Sequence, residues 1–151
     1  MNEALLWKFL LKTISSDKKA VLLVVAESSN SSPGRQGFKM AVNEDTDMIG
    51  TIGGGIMERD MTEYALDILL EKKSKKIKRL QHTDKTKFEK SGLICGGFQT
   101  IIFSVIDKTQ TKLIENILSS ISEKQNNELI IKPNRIECST MDNLHPVSFT
   151  Y

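Results

Sequence analysis

Three segments of this 151-residue chain combine residue types that suit an anionic or metal-bearing ligand. The segment 28–37 supplies hydroxyls and a cation, the glycine triplet 53–55 supplies backbone amides, and Cys95 supplies a thiol. Cations and backbone donors bind phosphate through charge-assisted hydrogen bonds, whereas a thiolate is a soft ligand that suits sulfur-loving metals. Each segment ends or interrupts a predicted strand, so we expect one edge of a sheet to gather all three.

The glycine triplet lies between a strand-like and a helix-like run in MIGTIGGGIMERD, residues 48–60. It matches neither named phosphate-binding motif, because Glu58 stands where G-x-G-x-x-G requires its last glycine and no Gly-Lys-Ser/Thr follows. Two interpretations remain open. The turn exposes amides and an electropositive helix end to an anion, or Gly55 caps the helix while Glu58 folds back onto free N–H groups.

The overall composition gives no indication of a polyanionic partner. Lys and Arg total 21 against 19 Asp and Glu, a formal net charge of +2, which is too balanced to indicate nucleic-acid or membrane binding. Glu3 and Lys8 contradict a signal peptide, and no apolar run approaches the roughly 20 residues of a membrane span. We therefore expect a soluble, cytoplasmic protein. Cys95 and Cys138 have no metal-clip spacing, which disfavours a disulfide framework or a zinc site.

Hydrophobic periodicity predicts one α/β domain over residues 1–151. The continuous apolar run AVLLVVAES indicates a central strand that is buried on both faces and therefore covered by helices on both. We expect a mixed sheet of about five to seven strands, with the glycine loops together at one edge or end. The predicted helices span 3–15, 56–71 and 109–124, and the predicted strands span 20–27, 38–42, 48–52, 93–106 and 128–139, the last being a strand or a hairpin.

The segments SSPGRQGFKM, IGTIGGGIMERD and GLICGGFQTIIF occur in the order and approximate spacing of three motifs of one protein family. On these residues the chain resembles the N-terminal domain of the XdhC/CoxI family, accessory proteins for molybdenum hydroxylases such as xanthine dehydrogenase. The resemblance covers about Ala20 to Ile106, and residues 107–151 add a helix and a strand. Family members usually continue into a Rossmann-like C-terminal domain, which we expect to be missing because no G-x-G-x-x-G or βαβ series follows Asp107.

The resemblance implies a dedicated chaperone rather than an enzyme. Such a protein binds molybdenum cofactor (molybdopterin) as cargo, protects it while a terminal sulfido ligand is installed, and delivers it to the apo-hydroxylase. The implied partners are a xanthine dehydrogenase-like molybdenum hydroxylase and a cysteine desulfurase as a candidate sulfur source. Either a separate Rossmann-domain chain or a second copy in a homodimer would complete the site.

The family motifs carry over to named positions of this sequence. The resemblance implies that Cys95 contacts the molybdenum or the transferred sulfur, and Glu58 could accept hydrogen bonds from the amino-pyrimidine edge of the pterin. Two departures stand in the segment 28–37, which we call the serine loop, where Asn30 replaces the usual glycine and Gly34 separates Pro33 from the arginine. Residue types and resemblance together give these cofactor-binding candidates: Ser31, Ser32, Pro33, Arg35, Gly37, Lys39, Met40, Gly50, Thr51, Gly53, Gly54, Gly55, Glu58, Cys95, Gly96 and Gly97.

Two other functions remain open from the sequence. In an enzyme, Cys95 would act as a nucleophile or sulfur carrier, and Glu58 would act as a general base on a phosphorylated small molecule. In an interaction module that completes a partner's site, the basic segment 72–79, where six of eight residues are cationic, would be the docking face. The plainer interpretation of that segment is a solvated helix end followed by an edge strand.

Overall fold

The computed structural model describes residues 2–81, 97–133 and 135–140. Within these ranges the chain forms three α-helices, one 3-10 helix and seven strands. In chain order they are α1 (Glu3–Ser15), β1 (Ala20–Ser28), β2 (Lys39–Asn43), β3 (Met48–Gly50), α2 (Gly55–Leu69), β4 (Ile77–Gln81), β5 (Phe98–Ile106), the 3-10 helix (Lys108–Gln110), α3 (Thr111–Ser122), β6 (Asn127–Lys132) and β7 (Arg135–Thr140).

β1 is the central strand of a five-stranded sheet with the order β3-β2-β1-β5-β4, and β6 and β7 form a separate hairpin. The expected α/β domain with helices covering the sheet is confirmed. Every described pairing is antiparallel, however, so the sheet is not mixed. Parallel neighbours require a crossover between them. Here the helix α2 joins β3 to β4, which are the two edge strands and do not pair.

Both faces of the sheet are covered, because side chains alternate along β1. Leu22 and Val24 pack in one cluster with α1, α3 and the β6–β7 hairpin. Their neighbours Val21 and Leu23 pack in a second cluster with α2. The predicted two-sided cover of the central strand is therefore confirmed.

The three predicted helices are present, with small shifts at their ends. α1 has the predicted bounds, whereas α2 begins one residue earlier than predicted and ends at Leu69. The third predicted helix begins as a 3-10 turn whose N-cap is Asp107, and its α-helical part starts at Thr111. The segment predicted as a strand or a hairpin is a hairpin. None of the helices in the described ranges has the length and apolar character that would let it cross a bilayer.

Trp7, the single tryptophan of the chain, anchors α1 to the core. It is fully buried beside Leu6 and Leu10, in the cluster that α1 shares with β1 and α3. Its indole Nε1 has no hydrogen-bond partner in the part of the chain that the structure describes. The contribution of this side chain to stability is therefore apolar packing.

The antiparallel register brings three connections to one end of the sheet. The last residue of β1 lies opposite Gln99 near the start of β5, and the last residue of β3 lies opposite Met40 near the start of β2. The loop 29–38, the turn 51–54 and Gly97 therefore lie at the same end. We call it the glycine end.

Replacement of Leu6 by alanine tests the core beneath α1. Leu6 is fully buried, so we expect Leu6→Ala to lower the free energy of unfolding by about 2–5 kcal/mol, as measured by urea denaturation. Leu5 is the matched control, because it lies on the same helix with 52% of its surface exposed. Leu5→Ala should change the same quantity by less than about 1 kcal/mol. Equal losses in the two variants would contradict the described packing of α1.

Candidate functional site

The turn 51–54 is closed by the carboxylate of Glu58. One oxygen, Oε1, accepts hydrogen bonds from the amide of Ile52 at 2.9 Å, from the amide of Gly54 at 2.8 Å and from the hydroxyl of Thr51. Thr51 Oγ1 in turn accepts the amide of Gly53 at 3.1 Å. The interpretation in which Glu58 folds back onto free N–H groups is therefore confirmed. The helix cap, however, is the glycine that precedes the predicted Gly55.

This arrangement leaves the N-terminus of α2 open. The cap residue Gly54 has a φ of 87°, and apart from chain neighbours no atom of the described residues lies within 4 Å of the position that a Cβ would take on Gly54 or Gly55. The first amides of a helix have no partner within the helix, and they carry the positive end of its dipole. Oε1 of Glu58 is already engaged by three donors of the turn.

The serine loop packs directly against the turn 51–54, which we call the glycine turn. A Cβ added to Gly34 would stand 2.0 Å from the carbonyl oxygen of Ile52 and 2.1 Å from Nε2 of Gln99. Gln99 donates from that same nitrogen to the Ile52 carbonyl at 2.8 Å. Pro33 contributes the next contact, because a Cβ on Gly53 would stand 3.2 Å from its Cγ. The extra Gly34 that departs from the family motif is thus the residue that lets the two segments touch.

Gly97 joins the same cluster from the third segment. A Cβ on Gly97 would stand 2.5 Å from Oγ of Ser29 and 2.9 Å from Oγ of Ser31. Ser29 accepts the amide of Phe98 at 3.0 Å through its hydroxyl and donates its own amide to the Phe98 carbonyl at 3.0 Å. The predicted convergence of the three segments is confirmed as far as Gly97. Cys95 and Gly96 lie outside the described residues.

Ser32 carries an unpartnered hydroxyl in this cluster. The residue is only 4% exposed, and its Oγ has no hydrogen-bond partner among the described residues. A buried polar group without a partner costs about 1–3 kcal/mol. A ligand oxygen or nitrogen would satisfy it. Beside it, Ser31 and Arg35 are exposed, and Arg35 contacts the carbonyl of Asn30 at the long distance of 3.4 Å.

Four other candidates have structural roles in the described chain. Lys39 is buried on the α1 face of the sheet, where its Nζ pairs with the carboxylate of Glu3 and donates to the Gly37 carbonyl at 3.2 Å. The next residue, Met40, is fully buried in the cluster beneath α2. Gly37 and Gly50 occupy left-handed positions, with φ values of 88° and 89°. A role of these residues in binding stays a prediction.

Two residues that position the site were not predicted as functional. Ser29 stands among other serines and carries no distinguishing pattern. Gln99 had a signal, because it is a polar residue inside the otherwise apolar run of β5, and it is fully buried. A buried amide of this kind is retained where it satisfies a specific partner, here the Ile52 carbonyl.

Two cations of the basic segment 72–79 lie over aromatic rings. Lys78 lies over the ring of Tyr64 at 4.8 Å from its centroid, and Arg79 lies over the ring of Phe98 at 4.1 Å. These cation–π contacts hold Lys78 against a side chain of α2 and Arg79 against a side chain of β5.

The second cysteine, Cys138, packs against the core between α1 and α3, and burial raises the pKa of its thiol.

Comparison with known proteins agrees with the motif-based resemblance. Residues 13–82 match the sequence model of the XdhC and CoxI family, a stretch that contains the serine loop and the glycine turn. No curated protein matches this chain. Among solved structures, the chain is similar to a crystal structure named as a xanthine dehydrogenase from Bacillus halodurans, with a TM-score of 0.64 and 20% identity. The match covers 84% of this chain and 37% of the other, so this chain spans little more than a third of that protein, and the likeness concerns the fold.

Substitution of Glu58 tests its role in closing the turn. Glu58→Ala removes the acceptor of two amides and one hydroxyl, so we expect the free energy of unfolding to fall by about 1.5–3 kcal/mol in urea denaturation. Glu63→Ala is the control, since Glu63 lies exposed on the same helix, and it should shift stability by no more than about 0.5 kcal/mol. Indistinguishable unfolding curves for the two variants would refute the closing role.

Substitution of Gly34 tests the contact between loop and turn. We expect Gly34→Ala to cost about 3 kcal/mol or more, because the new methyl overlaps a backbone carbonyl that cannot move alone. Gly54→Ala meets no atom of the described residues and carries the strain of a positive φ with an extended ψ, about 1–3 kcal/mol. Thermal unfolding of both variants gives the comparison. If Gly34→Ala were as stable as the wild type, the loop would not pack on the turn as described.

Proposed function

We propose that this chain binds molybdenum cofactor at the glycine end and assists its sulfuration and insertion into a xanthine dehydrogenase-like molybdenum hydroxylase. The observation that carries the proposal is the contact between the serine loop, the glycine turn and Gly97 at one end of the sheet. The match of residues 13–82 to the XdhC and CoxI family supports the same cargo.

The donor set of this end suits a pterin that bears a phosphate. The open amides at the start of α2 form a site for an anion, since helix N-termini favour phosphate. The unpartnered hydroxyl of Ser32 offers one further hydrogen bond, and the exposed guanidinium of Arg35 offers a mobile positive charge at the loop surface. These three groups would orient the organic part of the cargo without any covalent chemistry.

The soft ligand in this proposal is Cys95. It precedes Gly97 by two residues in the sequence, and Gly97 lies at the glycine end, which supports a role for Cys95 there. Its role is to contact the molybdenum or the sulfur that is being transferred, as the family resemblance implies. A cysteine desulfurase is the candidate sulfur donor, and the apo-hydroxylase is the recipient in the cytoplasm.

A second copy of the chain or a separate Rossmann-domain chain completes the site in this proposal. The chain corresponds to 37% of the solved relative, so groups from elsewhere have room to contribute to binding. The open glycine residues Gly54 and Gly55 mark the surface where such a partner would approach.

Binding is favoured over catalysis by the position of Glu58. Three hydrogen bonds to Oε1 hold the Glu58 carboxylate within the turn, which favours a structural role over that of a general base that moves to meet a substrate. We therefore expect stoichiometric binding and release. Multiple turnovers of a phosphorylated substrate by the purified chain would instead favour the enzyme.

The direct test is anaerobic binding of molybdenum cofactor to the purified chain, followed by measurement of metal and pterin stoichiometry. We expect about one cofactor per protomer or per dimer, with affinity at least about tenfold lower in Cys95→Ser and in Ser32→Ala, because each removes a contact to the cargo. Cys138→Ser is the matched control, since Cys138 packs against the core away from the glycine end.

Two outcomes would count against the proposal. Absence of binding by the folded wild-type chain, with or without a second chain, would refute cofactor binding. Equal affinity of the wild type, Cys95→Ser and Ser32→Ala would refute the glycine end as the place of binding. Far-ultraviolet circular dichroism of each variant establishes that a loss of binding is not a loss of fold.

A further inference from the structure

A cavity lies at the end of the sheet opposite the glycine end. Its volume is about 640 Å³, within the range of small-molecule pockets. Four segments that are separate in sequence form its walls: the turn before β1, the connection from α2 to β4, the residues that follow β5, and the start of β7. The function proposed above uses none of them.

Cations from three of these segments line the cavity. Lys19 comes from the turn before β1, Lys73 and Lys76 come from the α2–β4 connection, and Arg135 comes from β7. The ammonium groups of the three lysines have no ion pair within the described residues. Arg135 uses its Nε for Glu137 at 2.7 Å, and the guanidinium has further N–H donors.

Two carboxylates also line the cavity, and one of them already accepts hydrogen bonds from a neighbouring residue. Asp107 accepts the amide of Thr109 at 2.9 Å and its hydroxyl, as the cap of the 3-10 helix. These hydrogen bonds hold the pKa of Asp107 below its ordinary value, so the carboxylate is ionised and satisfied locally. Glu71 is the other acidic residue. The cations outnumber the carboxylates, and the lining attracts anions.

The backbone that carries the lysines is fixed. The amide of Lys73 donates to the Asp67 carbonyl at 3.2 Å, and the carbonyl of Lys76 accepts the amide of Phe103 at 2.9 Å. Between them, the carbonyl of Lys75 accepts the hydroxyl of Tyr64 at 3.0 Å. Because the connection is held at these points, Lys73 and Lys76 can contact a ligand in the cavity without ordering of the main chain on binding, which favours affinity.

Part of the remaining lining is apolar, and the other part consists of the polar residues Ser74, Thr109 and Gln110. Ile68 and Leu69 come from the last turn of α2, Val105 comes from β5, and Ile136 comes from β7. An apolar surface beside cations suits a ligand with a ring or hydrocarbon body and a separate charged group. An isolated inorganic anion would leave this surface unused.

We infer that this cavity is a binding site for a phosphorylated small molecule of about nucleotide size. Its phosphates contact Lys19, Lys73 and Lys76, and its ring system lies on the apolar surface of the half-buried residues Leu69 and Val105. The site is separate from the glycine end, and its existence does not depend on cofactor binding there.

Isothermal titration calorimetry with ADP and with inorganic pyrophosphate tests the inference. We expect ADP to bind the wild type more tightly than pyrophosphate, because only ADP covers the apolar surface. The double variant Lys73→Ala/Lys76→Ala should lose at least about tenfold in affinity for both probes. The control Lys72→Ala/Lys75→Ala removes the same charge from the same connection outside the cavity, and it should change affinity less than about threefold.

Three results would overturn the inference. They are absence of binding of either probe by the wild type, equal losses in the two double variants, and equal affinity for ADP and pyrophosphate. Equal losses in the two double variants would mean that the probes are attracted to the basic segment in general. Equal affinity for the two probes would mean that the apolar surface does not contribute to binding. Thermal unfolding of both variants establishes that they are folded.

Discussion

The burial of β1 is the constraint on which the rest of the structure depends. Every residue from Ala20 to Ala26 is buried, so the strand must have neighbours on both edges and layers on both faces. β2 and β5 supply the edges, α1 and α3 cover one face, and α2 covers the other. This arrangement determines where the connections can run. The loops that leave β1 and β3 emerge at one end, and those that leave α2 and β5 emerge at the other.

Sterics rather than charge assemble the glycine end. The serine loop meets the turn at Gly34, and the third segment meets the serine loop at Gly97, in both cases where no side chain would fit. Charged side chains contribute less to the assembly of the glycine end. Glu58 is directed into its own turn, and Lys39 is paired with Glu3 on the α1 face. A ligand at this end would therefore meet mostly amides and hydroxyls.

Much of this could be predicted from sequence, because it depends on local patterns. Helical spacing located the three helices, the continuous run of β1 indicated its two-sided cover, and the strand-ending glycine and serine segments indicated one shared end. Strand direction could not be predicted, since it depends on which strands pair. The period of the predicted strand 38–42 places Lys39 and Met40 on opposite faces, but which of the two faces α1 could not be predicted. Among the described residues the hydroxyl of Ser32 has no partner because of how a segment distant in sequence packs on the loop. Local sequence patterns do not predict that packing.

The burial of Trp7 gives the chain an optical reporter that is selective for one layer. An indole in apolar surroundings emits at shorter wavelength than one in water, and this is the single indole of the chain. It lies in the cluster between α1 and α3, and neither the glycine turn nor the cationic cavity includes it. Its emission thus follows the integrity of the α1 layer, while ligands at either end of the sheet leave it in the same environment. The emission of Trp7 therefore reports folding separately from any signal that reports ligand binding.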